Sequence, residues 1–173
     1  NQRRTFAIGL HRYETNTTPG TTVMLTGVTD AFKVAVQHGG GAVTFGSGET
    51  YYLGNPLNGP PLIELTNPQN IVVYGNGATV TVDSQSGINL YSIIDLQNPV
   101  NITVIGLNFY DSGGNEQQTW QGARAWNLTA TGSTNSGGFT IIGGTYTNPA
   151  APFVAYWTSS TPGRAPHITL NYR

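Results

Sequence analysis

Cysteine is absent from the 173 residues, which excludes a disulfide framework, a thiolate zinc site and a cysteine nucleophile. Charge is sparse and balanced: 9% of residues are charged, with 7 Lys and Arg against 8 Asp and Glu. Phosphate binding needs clustered basic side chains, so no nucleic-acid partner is expected. No segment approaches the run of about 18 apolar residues that spans a bilayer as a helix, and no membrane partner is expected either. His11, His38 and His167 are far apart in the chain, without i, i+4 spacing or acidic neighbours, so neither a metal site nor a cofactor is expected. Lys, Glu and Leu are scarce, which starves long helices. What remains is rich in Gly, Asn, Thr, Ser, Val, Ile and Tyr, the composition of short strands separated by polar turns.

The chain repeats itself. Residues 62–75 read LIELTNPQNIVVYG and residues 93–106 read IIDLQNPVNITVIG, identical at eight of fourteen positions with an offset of 31 and no gap. Weaker copies follow at Phe139–Gly143 and Ile168–Leu170 and precede at Ala42–Gly46, so that Gly46, Gly75, Gly106 and Gly143 recur at spacings of 29, 31 and 37. Each period holds about three brief β-type segments, for example NIVVYG, ATVTV and IIDL. Such a period with Gly, Asn and Pro corners fits a parallel β-helix, in which each coil buries one face only when neighbours stack on it. The expected fold class is all-β, a right-handed single-stranded parallel β-helix of about four to five coils. Alternation assigns its faces. Ile71 and Val73, Ile102 and Val104, Phe139 and Ile141, and Ile168 and Leu170 should stack inside, as should Ile63, Leu65, Ile94, Leu96, Trp126 and Leu128. Glu64, Asp95, Asn127 and Tyr156 then fall outside in one column. Trp157 shares the parity of the buried positions.

One helix is expected. Thr29 offers an N-cap, Phe32, Ala35 and Val36 make an apolar stripe, and Gly39-Gly40-Gly41 stops it. A short amphipathic α-helix here would cap the terminal layer of a solenoid. The domain reading is therefore a leader over 1–27, a capping helix and Gly-rich turn over 28–41, and coils over 42–173. The chain opens on Asn1 and stops inside an apparent strand, HITLNYR. It reads as the N-terminal part of a longer protein, or as a chain whose open C-terminal coil is covered by another.

Residues 28–80 carry a resemblance. A short helix leads to Gly39-Gly40-Gly41, then to the strand Val43-Thr44-Phe45, the step Gly48-Glu49-Thr50-Tyr51-Tyr52-Leu53 and the run Asn70-Ile71-Val72-Val73-Tyr74-Gly75-Asn76-Gly77-Ala78. This order resembles the entry segment of the pectate-lyase-like right-handed parallel β-helix superfamily. That superfamily includes phage tailspikes, polygalacturonases, pectate lyases, alginate epimerases and noncatalytic adhesins. The resemblance implies a polysaccharide partner (capsule, O-antigen or pectin-like), a virion-tail or secreted location and, for a tailspike, a homotrimer. Two departures stand out. The "G-D-G-x-x-D-D" run usual before the helix is reduced to Thr29-Asp30, and the polygalacturonase and epimerase motifs are absent.

Among candidate catalytic residues, Glu64 and Asp95 are the best acidic pair. Stacked coils would place their Cα atoms ~4.8 Å apart, and carboxylates about 5 Å apart suit a retaining glycosidase. The same two side chains also read as solvated repeats on an exposed sheet. Asp111 and Glu116, in or beside a polar excursion over 112–122, are alternates. Trp120, in that excursion, could stack on a sugar or pack back on a coil. Arg124 suits an anionic sugar or a surface ion pair, and Asn127 and Tyr156 complete the candidate binding set. Asn67/Asn98 and Asn70/Asn101 recur at corners, where Asn tolerates left-handed backbone and bonds along a stack. The function expected is polysaccharide binding with depolymerisation by hydrolase or lyase chemistry. The alternative is a noncatalytic structural or adhesive protein. An ice-binding solenoid fits less well, since only Thr79-Val80-Thr81 shows a Thr-x-Thr pattern.

Overall fold

The computed structural model describes residues 5–7, 22–54, 61–82, 91–111, 123–131, 137–147, 151–158 and 168–171. These form three parallel sheets and one helix. Sheet A contains β1 (Thr5–Ala7), β2 (Gly41–Thr44), β5 (Gln69–Tyr74), β8 (Val100–Ile105), β11 (Gly137–Ile142) and β14 (Ile168–Asn171), side by side in that order. Sheet B contains β3 (Thr50–Gly54), β6 (Thr79–Val82), β9 (Asn108–Asp111) and β12 (Tyr146–Thr147). Sheet C contains β4 (Ile63–Thr66), β7 (Tyr91–Gln97), β10 (Ala123–Thr131) and β13 (Ala151–Thr158). From β2 onward the chain visits A, B and C in rotation, and each strand pairs in parallel with the one three places further on.

The repeat sets the register. Ile71 pairs with Ile102 and Val73 with Val104, and these in turn with Phe139 and Ile141, then with Ile168 and Leu170. In sheet C, Ile63 pairs with Ile94 and Ile94 with Trp126, while Leu65, Leu96 and Leu128 form a second row. All of these whose side chains are described are buried, because alternation along each strand puts every second residue between the sheets. Trp126 lies at the centre of an aromatic cluster, with ring centroids 6.3 Å from Phe32, 5.7 Å from Phe109 and 5.5 Å from Phe139. Its indole Nε1 is buried without a hydrogen-bond partner. An unmet donor costs about 1–3 kcal/mol, whereas burying an aromatic of this size contributes roughly 4–6 kcal/mol. Burial wins.

Corners are made by asparagine. Asn67, Asn70, Asn98 and Asn101 all have φ of 54–55°, a left-handed conformation that Asn reaches more cheaply than other side-chain-bearing residues. The amide of Asn101 donates to Oδ1 of Asn70 at 2.9 Å, so the corner bonds to its copy in the next layer. Gly75 marks the opposite kind of corner. A Cβ there would run into the backbone of Leu107, so no side chain fits.

The helix α1 (Thr22–Gln37) packs against β2, β3 and β4, the first strands of the repeating series in each sheet. It starts seven residues before the Thr29 cap expected from sequence, at Thr22. Val28 is buried with Phe32 and Ala35, so the apolar stripe already begins before Thr29. The C-terminus ends as expected: Gly39 is left-handed (φ 72°), its N–H donates to Val36 and that of Gly40 donates to Ala35, a Schellman stop. The region read as a leader is also structured in part, since Thr5–Ala7 forms β1 and pairs with Ala42–Thr44. No described helix is long and apolar enough to cross a membrane.

Candidate functional site on sheet C

The outward positions of sheet C carry a polar ladder. Glu64 pairs with Asp95 and Asp95 with Asn127, in the register the repeat predicts. Their strands alternate, with Ile63, Leu65, Ile94, Leu96, Trp126 and Leu128 inside, which leaves the acids on the outer surface. The two acids differ in exposure. Glu64 is exposed, whereas Asp95 is 7% exposed beneath its neighbours.

Amide side chains tie the ladder together. Nδ2 of Asn127 donates to Oδ1 of Asp95 at 2.6 Å and also approaches Oγ1 of Thr129 at 3.3 Å. Nε2 of Gln97 donates to Oε1 of Glu64 at 2.5 Å and reaches Oδ2 of Asp95 at 3.5 Å. Thr66 donates through its hydroxyl to Oε1 of Gln97 at 3.5 Å. One nitrogen therefore touches both carboxylates, and Asp95 accepts from an amide on each oxygen. Acceptance of this kind fixes the orientation of Asp95 and leaves Glu64 the freer acid.

Gln97 is the member that sequence reasoning missed. It occupies the outward position two residues after Asp95, in register with Thr66 and Thr129. Extending the alternation that placed Asp95 by one more step would have found it.

Other expected site residues are not brought to this ladder. Tyr156 does not continue the column of Asn127. Val154 pairs with Asn127, and Tyr156 pairs with Thr129 one outward position further along. Asp111 lies at the end of β9 in sheet B, paired with Val82 and fully buried, which removes it from the outer face of sheet C. Arg124 stands in β10 opposite Ser92 and Ala151, placed by its backbone. Glu116 and Trp120 lie outside the described residues, as do His11 and His167. Trp157 pairs with Ala130. Among the described residues no group of three or more His, Asp and Glu is arranged to hold a metal ion.

No family model, curated protein or solved structure matches the chain.

Proposed function

We propose that the three sheets are the walls of one right-handed, single-stranded parallel β-helix, and that the outer face of sheet C binds and depolymerises a polysaccharide. The observation that carries the second part is the in-register pair Glu64 and Asp95, two carboxylates that share a hydrogen-bonding nitrogen on a rigid sheet. A glycosidase needs one carboxyl group to protonate the leaving oxygen and a second, fixed one at the anomeric carbon. Glu64, exposed and reaching outward, takes the first role. Asp95, held by Asn127 and Gln97, takes the second, either as nucleophile or through a water. The β-helix reading rests on the A, B, C rotation of the strands and on the resemblance of residues 28–80 to pectate-lyase-like proteins. A tailspike-like homotrimer on a virion, or a secreted enzyme, follows from that resemblance by fold-level analogy alone.

A second reading has its own observation. Each carboxylate of the ladder already accepts an amide hydrogen bond, the arrangement expected of a noncatalytic, adhesive surface whose polar groups stabilise the stack. A panel of capsular and pectic polysaccharides separates the two. New reducing ends from the wild type, lost by at least a hundredfold in Glu64→Gln and in Asp95→Asn, would establish hydrolysis at this pair. An unsaturated, ultraviolet-absorbing product would indicate a lyase. Activity retained in both variants would remove the assignment, and binding without any product would favour the adhesive reading.

A further inference from the structure

Sheet B presents a different surface. Its inward residues, Tyr51, Val80 and Phe109, are fully buried, so the positions between them face outward. In register these are Thr79 beside Asn108, and a second column of Tyr52, Thr81, Tyr110 and Thr147. The second column alternates a tall aromatic with a short hydroxyl-bearing residue. Tyr110 is 36% exposed, Tyr52 and Thr81 are half-buried, and Thr147 is exposed. None of the six carries a charge. The offsets of 29 and 37 between copies conceal this pattern in the sequence, where only Thr79-Val80-Thr81 stands out.

We propose that this face binds an uncharged glycan whose chain runs across the strands, independently of the carboxylate ladder on sheet C. Parallel strands lie ~4.8 Å apart, so Tyr52 and Tyr110 are separated by ~9.6 Å with Thr81 midway. A glycan laid across the strands thus meets a phenol ring at every second strand and a threonine hydroxyl between them, so that its C–H faces and its hydroxyls find alternate partners. Hydroxyls of Thr79, Thr81 and Thr147 offer the mixed donor and acceptor groups that sugar hydroxyls need. Asn108 is held in place by its own bonds: Oδ1 accepts from the backbone N–H and hydroxyl of Thr145, at 2.9 and 3.0 Å, and Nδ2 donates to the carbonyl of Gly77 at 3.2 Å. The absence of charge on the six residues selects against a polyanion, for which no basic partner stands on this face among the described residues. The corrugation made by tall and short residues also departs from the flat hydroxyl array that would match an ice plane.

The test uses the full chain and a panel of soluble neutral glycans (mixed-linkage β-glucan, galactomannan and dextran), with polygalacturonate as the charged comparison, read by affinity electrophoresis and calorimetry. Wild type should bind at least one neutral glycan. Tyr110→Ala and Tyr52→Ala should each weaken that binding at least tenfold, Tyr52→Ala with some loss of melting temperature because Tyr52 also packs against the core, while Tyr110→Phe keeps it. A Glu64→Gln/Asp95→Asn double variant should bind as wild type does. Unchanged affinity in both alanine variants, a preference of the double variant for polygalacturonate, or ice-growth inhibition without glycan binding would overturn the proposal. Because the double variant disables only sheet C, loss of depolymerisation with retained neutral-glycan binding would leave this inference standing, and loss of both in the double variant would sink it alone.

Discussion

Asn101 combines two tasks in one side chain. Its backbone is left-handed and its amide bonds to Asn70 in the neighbouring layer. Replacement by Ala removes the hydrogen bond, worth about 0.5–1.5 kcal/mol, and adds roughly 1 kcal/mol of backbone strain. Replacement by Gly removes only the bond, since glycine enters the left-handed region without steric cost. Asn101→Ala should therefore lower the urea midpoint more than Asn101→Gly does. Equal midpoints would show that the corner is not under conformational demand. The recurrence of this asparagine at the same point of two repeats was readable in the chain. Asp111 was not readable in this way: its place at the end of an inward-alternating strand buries it, whereas the adjoining polar excursion suggested exposure.

At the scale of elements, α1 and the first three repeating strands form the clearest unit. Phe32 is 2% exposed and meets Trp126 edge to face at 6.3 Å, so the helix is joined to an interior residue as well as to the edge strands. Phe32→Ala should cost about 3–5 kcal/mol, through lost transfer energy and the cavity left behind. Lys33→Ala, on the exposed side of the same helix, should change stability by less than about 0.5 kcal/mol. Thermal melts of the two variants check the contrast, and similar melting temperatures would mean that the helix contributes little to the core. The stop of this helix was legible because Gly39 and Gly40 provide a local signal. Its start was misread because Thr29 resembles an N-cap, and only the burial of Val28 beside Phe32 and Ala35 shows that the apolar stripe begins before it.

Across the molecule, each inner strand of the three parallel sheets is bonded to a neighbour on both edges, and a central defect should be felt on both sides. Ile102 is paired with Ile71 before it and Phe139 after it, and is 2% exposed. Ile102→Val should cost about 0.5–1.5 kcal/mol. Ile102→Asp buries a carboxylate with no partner and should cost more than about 4 kcal/mol, enough to abolish the cooperative transition seen by circular dichroism. A folded Ile102→Asp protein with native melting would contradict the stacked arrangement of these strands.

By itself the sequence determined what is periodic. The offset of 31, the alternation within each strand and the Asn and Gly corners are local properties, and they yielded the parallel strands, their inward rows and the pairing of Glu64 with Asp95. Only the tertiary structure decided which residues become lateral neighbours where the spacing is uneven. The stretches of sequence before β10 and β13 differ in length, and no repeated motif in β13 anchors an alignment, so Tyr156 falls beside Thr129 instead of Asn127. The structure also brings tyrosines from β3 and β9 onto one face, because these strands share no repeated motif and become neighbours only through the pairing of each with β6.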